Sequence, residues 1–519
     1  MHKAALFSLS NRIGAVELAG ALRDASIVIY ATAGTRAFLA EQGVEAHDVG
    51  ELTGFPELFN GRVKTLHPKI FGGILRDRRD ANHLAQSERY RIPDIRTVVV
   101  NLYPFEQTVA GGGATLAEAI EQIDVGGVAL LRAGAKNFEH VTVLSDPSQY
   151  SSFLRALPGE LDASTRRRLG IAAFERTAQY DAAIAHYLES RGEVLPGDLP
   201  GSLTLTLPLA TPLRYGENPQ ARAAFYLGRA QHLPEQLWGK SLSYNNLLDV
   251  DSTLRLLARM PDGLGEITQG EPNFRAAIVK HTVPCGVAQR PKVAAALREA
   301  LQTDPISAFG GIVAVDGRLD LPCAQALADF FLEIVAAPEF DDEALECLKK
   351  KKNLRILRYA KDAPEQLARE LRLRSALGGV LADEDDPNAP PEKWQVVSQR
   401  QPTAQQWQDL AFAWDVVRHV KSNGVVLVNN GVTVGICAGQ TNRVSAVRIA
   451  GVRARERAGG AACASDGFFP FADGLQEAAK AGCAAIIAPR GSIRDIQVIQ
   501  AADEANVALI FSTYRYFLH

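Results

Sequence analysis

Lys280 and His281 stand side by side at the end of the apolar run 276–279. An imidazole is a common general base, and an ammonium stabilises negative charge that develops during a reaction. Because the neighbouring ammonium disfavours a protonated imidazole, we expect His281 to act as a base and Lys280 to face an oxyanion. The alternative is a surface Lys-His pair at a strand end with no catalytic role, since only some pairs of this kind mark functional sites.

The residues after this pair predict how it is held. Pro284 and Gly286 favour a tight turn, because proline fixes φ and glycine permits positive φ. We therefore expect a strand that ends near Lys280 and a turn formed by Pro284 and Gly286. Ligands of α/β proteins bind where strands end in this way.

Two polar turns near the N-terminus have the composition of a phosphate site. Residues 4–9 predict a strand that is followed by Ser10 and Asn11 at a helix N-cap, and residues 27–31 predict a second strand that runs into Thr32 and Thr35. Strand-helix pairs in succession indicate a parallel sheet. Hydroxyls and free N–H groups at a helix N-terminus suit phosphate, although serine and threonine are also ordinary caps.

A loop and a later helix add further candidate groups. Residues 60–68 combine glycine, proline and mixed charge, which predicts a loop, and loops on α/β scaffolds often carry function. The alternative for this loop is a solvated charged segment. A strand at 97–100 ends at Asn101 and Tyr103, and Asp124 opens a helical run that reaches Lys136. Asp124 at that position is also compatible with simple capping.

Composition narrows the class of protein. The chain has 519 residues, a net charge of -3, 47% hydrophobic and 22% charged residues, which is typical of a globular protein without a basic field for nucleic acid or anionic membrane. Its six cysteines contain no C-x-x-C pair, which favours free thiols in a reducing compartment. The N-terminus lacks a signal-peptide pattern and no apolar run is long enough to span a bilayer, so we expect a cytoplasmic location.

Proline and glycine clusters predict the domain boundaries. Residues 192–213 are rich in both, so we expect one domain at 1–200 and a second at 201–519. A polar, proline-rich stretch at 383–400 divides the second into parts of about 201–385 and 386–519. Residues 322–350 are predicted to be helical, and Asn429-Asn430-Gly431 predicts a hairpin turn. No repeat with a period of 20–50 residues is found.

A zinc deaminase is the main alternative enzyme class. His281 and Pro284-Cys285 resemble part of its signature, but that chemistry also needs a glutamate in H-x-E and a second thiolate in P-C-x-x-C. Val283 and Ala288 occupy those two positions. The sequence therefore predicts no metal site here.

Several motifs in a fixed order resemble one family. They are RVKTLHP, NLYPF, QIDVGG with AKN, LRYGENP, LSYNNLLD, VKHTVPCG, DPISAFGGIVA, KSNGVV, AGQTNR, SDGFFPF and the terminal YRYF. Together they resemble the bifunctional purine biosynthesis enzymes that fuse phosphoribosylaminoimidazolecarboxamide formyltransferase to IMP cyclohydrolase. The similarity covers essentially the whole chain.

The resemblance implies a fold and two activities. It implies an α/β fold with an N-terminal methylglyoxal-synthase-like parallel-sheet domain and two cytidine-deaminase-like α/β/α subdomains. The C-terminal part is expected to transfer a formyl group from the cosubstrate 10-formyltetrahydrofolate to aminoimidazolecarboxamide ribonucleotide, with no metal. The N-terminal part is expected to close the product to IMP with loss of water. The implied partners are these nucleotide and folate substrates and a second copy in a homodimer with transfer sites at the interface, but no nucleic acid or membrane.

The resemblance also implies roles for individual residues. The expected catalytic groups are Lys280 and His281 for transfer, and Lys64, Tyr103, Asp124 and Lys136 for ring closure, with Lys136 as the proton-transfer group. The expected nucleotide-binding residues are Ser10, Asn11, Arg12, Thr32, Ala33, Gly34, Thr35, Arg62, Thr65, Asn101, Arg214, Tyr215, Gly310, Glu333, Asn423, Arg443, Phe468 and Arg515. Those expected to contact the folate are Val444, Asp473, Ser492 and Ile493.

The chain departs from the family's pattern at some of these positions. The first phosphate-binding turn is usually Asp-Lys-Thr after the serine and here is Asn11-Arg12-Ile13, where the guanidinium of Arg12 still suits phosphate. The second is usually Ser-Gly-Gly-Thr and here is Thr32-Ala33-Gly34-Thr35. The alternative function is therefore a formyltransferase with weakened or lost cyclohydrolase activity, or a nucleotide-binding scaffold.

Overall fold

The computed structural model describes residues 2–55, 58–110, 113–157, 159, 161–191, 199, 202–227, 233–258, 273–384 and 394–519. The chain divides into two compact units, Met1–Thr206 and Leu207–His519. The boundaries predicted near residue 200 and at residues 385–386 lie outside the described residues. In the described ranges, no helix has both the length and the apolar character needed to cross a membrane.

The N-terminal unit is built on a parallel sheet. Its strands are β1 (Lys3–Leu9), β2 (Val28–Ala31), β3 (His47–Asp48), β4 (Asp94–Asn101) and β5 (Thr142–Leu144). They pair in the order β3-β2-β1-β4-β5, and every pair is parallel, as predicted. The carboxyl ends of these strands therefore meet at one edge of the sheet.

Helices cover both faces of this sheet. They are α1 (Ala15–Asp24), α2 (Ala33–Glu41), α3 (Val49–Thr53), α4 (Pro68–Leu75), α5 (Ala81–Arg89), α6 (Phe105–Ala110), α7 (Leu116–Glu121), α8 (Gly126–Lys136), α9 (Tyr150–Leu154) and α10 (Ala163–Arg191), with 3-10 helices at Phe59–Gly61 and Pro147–Gln149. Leu6 and Phe7 of the central strand are fully buried in two different core clusters, one on each face. Central parallel strands are continuous apolar runs because both faces are covered.

The predicted cap of the first helix is wrong. α1 begins at Ala15, and its N-cap is Gly14 in the left-handed region with φ of 70°. Ser10 and Asn11 lie in the connection that precedes it. A glycine is suited to this position because it adopts positive φ without a side-chain clash. The hydroxyl of Ser10 is therefore available for contacts outside the helix.

The C-terminal unit contains sixteen strands in the described residues. They are β6 (Leu209–Leu213), β7 (Ala223–Tyr226), β8 (Glu235–Trp238), β9 (Phe274–Lys280), β10 (Val283–Arg290), β11 (Ile312–Val315), β12 (Ile334–Ala337), β13 (Arg355–Arg358), β14 (Arg372–Ala376), β15 (Gly379–Asp383), β16 (Gln395–Val396), β17 (Val425–Asn429), β18 (Val432–Cys437), β19 (Ala462–Ser465), β20 (Ala485–Pro489) and β21 (Ala508–Ser512). β6 pairs with β7, and β14 pairs with β15, as two separate hairpins.

The helices of this unit pack against its large sheet. They are α11 (Tyr244–Leu257), α12 (Val293–Thr303), α13 (Pro305–Ala308), α14 (Leu321–Ala326), α15 (Asp342–Lys349), α16 (Ala363–Ala368), α17 (Ala404–Val417), α18 (Arg443–Ala454), α19 (Ala472–Ala481) and α20 (Asp495–Glu504), with a 3-10 helix at Arg455–Ala458. One core cluster centres on the buried Trp414 of α17, and two others lie around α12 and α18.

The large sheet has two halves of the same design. Its order is β16-β21-β20-β19-β17-β18-β10-β9-β11-β12-β13-β8. The halves meet where Ala288 of β10 pairs with Val432 of β18. Each half has an antiparallel hairpin, a strand antiparallel to it, two further parallel strands and an antiparallel edge strand. This arrangement agrees with the two α/β/α subdomains expected from the resemblance.

Two local predictions for this unit are wrong, and a third is confirmed. Residues 322–350 are not all helical, because β12 lies between α14 and α15. Pro284 and Gly286 lie inside β10, and the turn before it is formed by His281 and Thr282 with φ of 55° and 61°. The Asn430-Gly431 turn is confirmed, with φ of 51° and 69° between β17 and β18.

Candidate active sites

The predicted phosphate-binding turns of the N-terminal unit come together at the carboxyl ends of β1, β2 and β4. Ser10 donates its hydroxyl hydrogen bond to the Leu102 carbonyl at 2.6 Å. Arg12 donates to the Gly34 carbonyl at 3.3 Å and lies over the Phe38 ring. The strand order therefore places the two turns next to each other, at the edge where α/β sheets bind ligands.

In the second turn, at Thr32 to Thr35, part of the hydroxyl groups form hydrogen bonds within the protein. The Leu9 N–H donates to Thr35 Oγ1 at 3.0 Å, and Thr32 Oγ1 donates to the same oxygen at 3.3 Å. Thr35 is buried, so its hydroxyl holds the turn to β1. Asn11 caps its own loop by accepting a hydrogen bond from the Ile13 N–H at 3.0 Å. Thr32 and Ala33, at the start of α2, face the adjoining cavity.

That cavity has a volume of about 280 Å³ and brings Thr32 and Ala33 together with Lys64. Two of its lining residues, Asp48 and His67, were not predicted as site residues. Each caps a helix: Asp48 accepts from the Gly50 N–H at 2.7 Å, and His67 Nδ1 accepts from the Lys69 N–H at 3.2 Å. The available signal was His67 followed by proline in RVKTLHP, which is typical of a helix start.

Asp124 and Tyr103 are joined through the backbone beside this region. The Asp124 carboxylate accepts hydrogen bonds from the Gly127 N–H at 2.7 Å and from the Tyr103 N–H. Burial raises the pKa of Asp124 above its usual range, while these hydrogen bonds and the nearby charge of Lys64 oppose that rise. A carboxylate held near a cation in this way can orient an amide.

Four other predicted residues of this unit do not line the cavity. Lys136 is in the last turn of α8, about 15 Å along the helix axis from Gly126, so the structure does not bring it to Asp124. Arg62 forms an ion pair with Glu121. Thr65 is buried with its hydroxyl close to Gly126, and Asn101 donates to the Tyr150 hydroxyl at 3.4 Å.

The side chains of Lys280 and His281 have different surroundings at the start of the β9–β10 turn. Lys280 donates to the Phe309 carbonyl at 2.7 Å, next to Gly310, whose φ is 76°. A Cβ at Gly310 would lie 4.0 Å from the Lys280 ammonium, which is an ordinary contact, so glycine is favoured here by its positive φ. His281 is exposed in the turn. Glu333, which directly precedes β12, is paired with Arg355 at 2.8 Å.

His281 lies in a cavity of about 1020 Å³ that also contains Arg515. Arg515 lies over the Phe517 ring, with its guanidinium carbon 4.7 Å from the ring centre. Arg214 lies over the Tyr215 ring at 5.5 Å, and the next residues of the same motif, 217 and 218, line the cavity. The cavity therefore combines the predicted base with a predicted nucleotide-binding cation.

A second cavity, of about 400 Å³, contains five other predicted residues. They are Asn423, Arg443, Val444, Phe468 and Asp473. At its rim, Ser492 donates to the Pro470 carbonyl at 3.5 Å, and Ile493 is fully exposed. In the single chain, the predicted transfer residues that line a cavity are thus divided between two cavities, which share Phe517 in their walls.

No group of three or more His, Cys, Asp or Glu residues in the described part of the chain is arranged to hold a metal ion. The cysteines are free, and Cys285 is buried with its thiol pKa raised by burial to about 12. A thiol in this state is a poor nucleophile and a poor metal ligand.

Comparison with known proteins agrees with this geometry. The family model for the AICARFT/IMPCHase bienzyme matches residues 134–453, and the model for the MGS-like domain matches residues 14–129. The bifunctional purine biosynthesis protein PurH of Desulfitobacterium hafniense (strain DSM 10664 / DCB-2) is 44% identical over 531 residues, covering 100% of both chains. PurH of Halalkalibacterium halodurans is 44% identical over 528 residues, again covering 100% of both.

One solved structure, "Crystal structure of ForH", is 36% identical, covers 37% of this chain and 99% of its own, and has a TM-score of 0.34. The family models and the full-length identities, together with the two sites, lead to one conclusion. The chain belongs to the AICARFT/IMPCHase bienzyme family.

Proposed function

We propose that the chain carries out two consecutive steps, formyl transfer in the C-terminal unit and ring closure in the N-terminal unit. Membership of the family makes it a bifunctional purine biosynthesis enzyme with formyltransferase and IMP cyclohydrolase activities. The proposal therefore concerns which residues perform each step. The observation that carries it is the turn that presents His281 to the large cavity while Lys280 lies beside Gly310.

For formyl transfer, His281 removes a proton as the amine nitrogen of the ribonucleotide attacks the formyl carbon. Lys280 stabilises the oxyanion of the tetrahedral intermediate. The intermediate collapses when the bond to the folate nitrogen breaks, and the proton taken up by His281 passes to that leaving nitrogen. An aromatic amine is a weak nucleophile because its lone pair is delocalised, so base catalysis and orientation are both needed.

For ring closure, an amide nitrogen attacks the formyl carbon and water leaves. Asp124, half-buried and hydrogen-bonded at the Tyr103 backbone, orients the amide, while the Lys64 ammonium stabilises the developing oxygen charge. Thr32, Ala33 and the neighbouring turn hold the phosphate. The role of Lys136 in proton transfer stays a prediction from the resemblance, since helix geometry separates it from Asp124.

The folate cosubstrate is 10-formyltetrahydrofolate in this proposal. It is assigned to the second cavity, with Val444 and Asp473 in its wall and Ser492 and Ile493 at its rim. The ribonucleotide must then contact residues of both cavities. The two cavities share Phe517 within one chain, and the homodimer implied by the resemblance would in addition place the first cavity of one subunit against the second cavity of the other, as a two-fold interface permits.

A two-stage assay tests the proposal. Purified protein is given 10-formyltetrahydrofolate and aminoimidazolecarboxamide ribonucleotide, and both the formylated nucleotide and IMP are measured. Separately, the formylated nucleotide is supplied alone. The proposal predicts product in both assays. Transfer without closure of supplied substrate would favour the alternative of a formyltransferase that has lost cyclohydrolase activity, which the departures at Asn11-Arg12-Ile13 and Thr32-Ala33 motivate.

A further inference from the structure

The two hairpin turns of the large sheet occupy equivalent places in its halves. His281 and Thr282 join β9 to β10 with φ of 55° and 61°, and Asn430 and Gly431 join β17 to β18 with φ of 51° and 69°. Asn-Gly is a favoured pair for a two-residue turn with two positive φ values. A β-branched threonine is a genuine outlier in that region. The His281-Thr282 turn therefore needs support from outside its own sequence.

A carboxylate supplies that support in each half. Asp249 Oδ1 accepts the Thr282 N–H at 2.6 Å, and the same carboxylate accepts the His281 N–H. Ser252 adds a hydrogen bond to the Thr282 carbonyl at 3.3 Å. In the other half, Asp409 accepts the N–H groups of the Asn430-Gly431 turn at 2.9 and 2.7 Å.

The correspondence extends to the helices that carry these carboxylates. α11 and α17 each have 14 residues, each begins with a capping box, and each has its aspartate as the sixth residue. Burial raises the pKa of both aspartates above the usual range, and the turn N–H groups oppose the rise in both. The two clamps are therefore alike in geometry, while only one holds an imidazole. They differ in exposure, because Asp249 is partly exposed in the wall of the cavity that contains His281 and Asp409 is buried.

We propose that Asp249 is a positioning residue for formyl transfer, because its carboxylate holds the left-handed His281-Thr282 turn and so sets where the His281 imidazole and the Lys280 ammonium lie. This inference rests on the proposed role of His281. Misplacing a catalytic group by about 1 Å can cost about 10²-fold in rate. Asp249 itself contacts the backbone of the turn.

Asp249→Ala is the principal test, and Asp409→Ala is its matched control. We expect Asp249→Ala to lower kcat for formyl transfer by about 10²-fold while KM for the ribonucleotide changes by less than about threefold. Asp409→Ala should keep kcat within about threefold of the unmodified protein, although it removes an equivalent clamp. Asp249→Asn, which keeps one acceptor oxygen, should recover part of the lost rate. Closure of supplied formylated nucleotide should be unchanged in all three.

Three results would overturn the inference. The first is a kcat for Asp249→Ala within about threefold of the unmodified protein. The second is an equal loss of kcat in Asp249→Ala and Asp409→Ala. The third is an equal kcat in Asp249→Asn and Asp249→Ala. If Asp249→Ala does not fold, Asp249→Asn decides alone: a fall in kcat at constant KM supports positioning, and an unchanged kcat excludes it. Failure of the proposed function is distinguishable, because then the unmodified protein transfers no formyl group.

Discussion

Arg443, in the wall of the second cavity, forms an ion pair with Asp466 behind it, and the two side chains are 7% and 0% exposed. Arg443 also donates to Ser465 Oγ at 3.0 Å, and Asp466 accepts from Ser422 Oγ at 2.5 Å. A side chain at Gly467 would collide with the guanidinium, so the pair is closely packed as well. An arginine proposed to bind nucleotide therefore also has a structural partner.

Arg443→Ala should lower the free energy of unfolding of the C-terminal unit by about 3–5 kcal/mol, because it leaves a buried carboxylate without its counter-ion. Arg448→Ala is the control on the same helix. Its pair with Glu477 lies at the surface, so its loss should change the free energy of unfolding little. Denaturant unfolding followed by tryptophan fluorescence measures both, since Trp238, Trp394, Trp407 and Trp414 all lie in this unit. Equal costs for the two variants would show that the buried pair is not structural.

The parallel sheet of the N-terminal unit and the Asn430-Gly431 turn were predictable because their signals are local. Alternating strands and helices indicate a parallel sheet, and Asn-Gly suits positive φ at both positions. The His281-Thr282 turn was not predictable in this way. It is held by Asp249, more than thirty residues earlier in the chain, and the local Pro284 and Gly286 pointed to a different turn.

Other features were missed because their cause is tertiary or their period is long. β12 is a run of four apolar residues, too short for periodicity to separate strand from helix, and it is a strand because β11 and β13 flank it. The two α/β/α halves were expected from the resemblance, but the internal repeat was not detected, because its spacing of about 150 residues lies beyond the 20–50 residues of solenoid repeats. The grouping of predicted transfer residues into two cavities likewise depends on the fold alone.

Asp124→Asn should stabilise the N-terminal unit at neutral pH and impair ring closure. The pKa of Asp124 is raised on folding, so its ionised form costs stability above the folded pKa, and that cost disappears as pH falls below the unfolded value. The gain in melting temperature from the substitution should therefore shrink as pH is lowered. Calorimetry of the full chain between neutral and acidic pH measures this dependence.

Asp162→Ala provides a control of opposite sign. Asp162 accepts hydrogen bonds from the N–H and hydroxyl of Thr165 at 2.8 and 2.7 Å, which lower its pKa. The stability that the Asp162 carboxylate contributes is present above its unfolded pKa and is lost as pH falls through its folded pKa. The substitution should thus destabilise at neutral pH and matter less in acid. If the gain in melting temperature from Asp124→Asn stays constant with pH, the ionised Asp124 carboxylate is not the cause of that gain.

His281→Ala and Lys64→Ala should separate the two activities. Removing a general base typically costs 10²–10⁴-fold, so His281→Ala should lose formyl transfer by roughly that factor and still close supplied formylated nucleotide. Lys64→Ala should transfer normally and accumulate the formylated nucleotide. Lys136→Ala, measured in parallel, tests the prediction that Lys136 transfers a proton during ring closure. If it closes the ring at the unmodified rate, Lys136 is not part of the mechanism.

Mixing two inactive variants should restore formyl transfer if each site is built from two subunits. His281→Ala damages the first cavity, and Phe468→Ala damages the second. In a two-fold dimer, a hybrid of the two variants contains one undamaged site and one doubly damaged site. Random exchange makes half of the dimers hybrids, so about a quarter of the unmodified activity should return after co-refolding. The control is co-refolding of His281→Ala with Lys280→Ala, which change adjacent residues proposed to act on the same intermediate and should not complement. No recovery in the first mixture, despite hybrid dimers detected by a tag, would mean that each site lies within one chain.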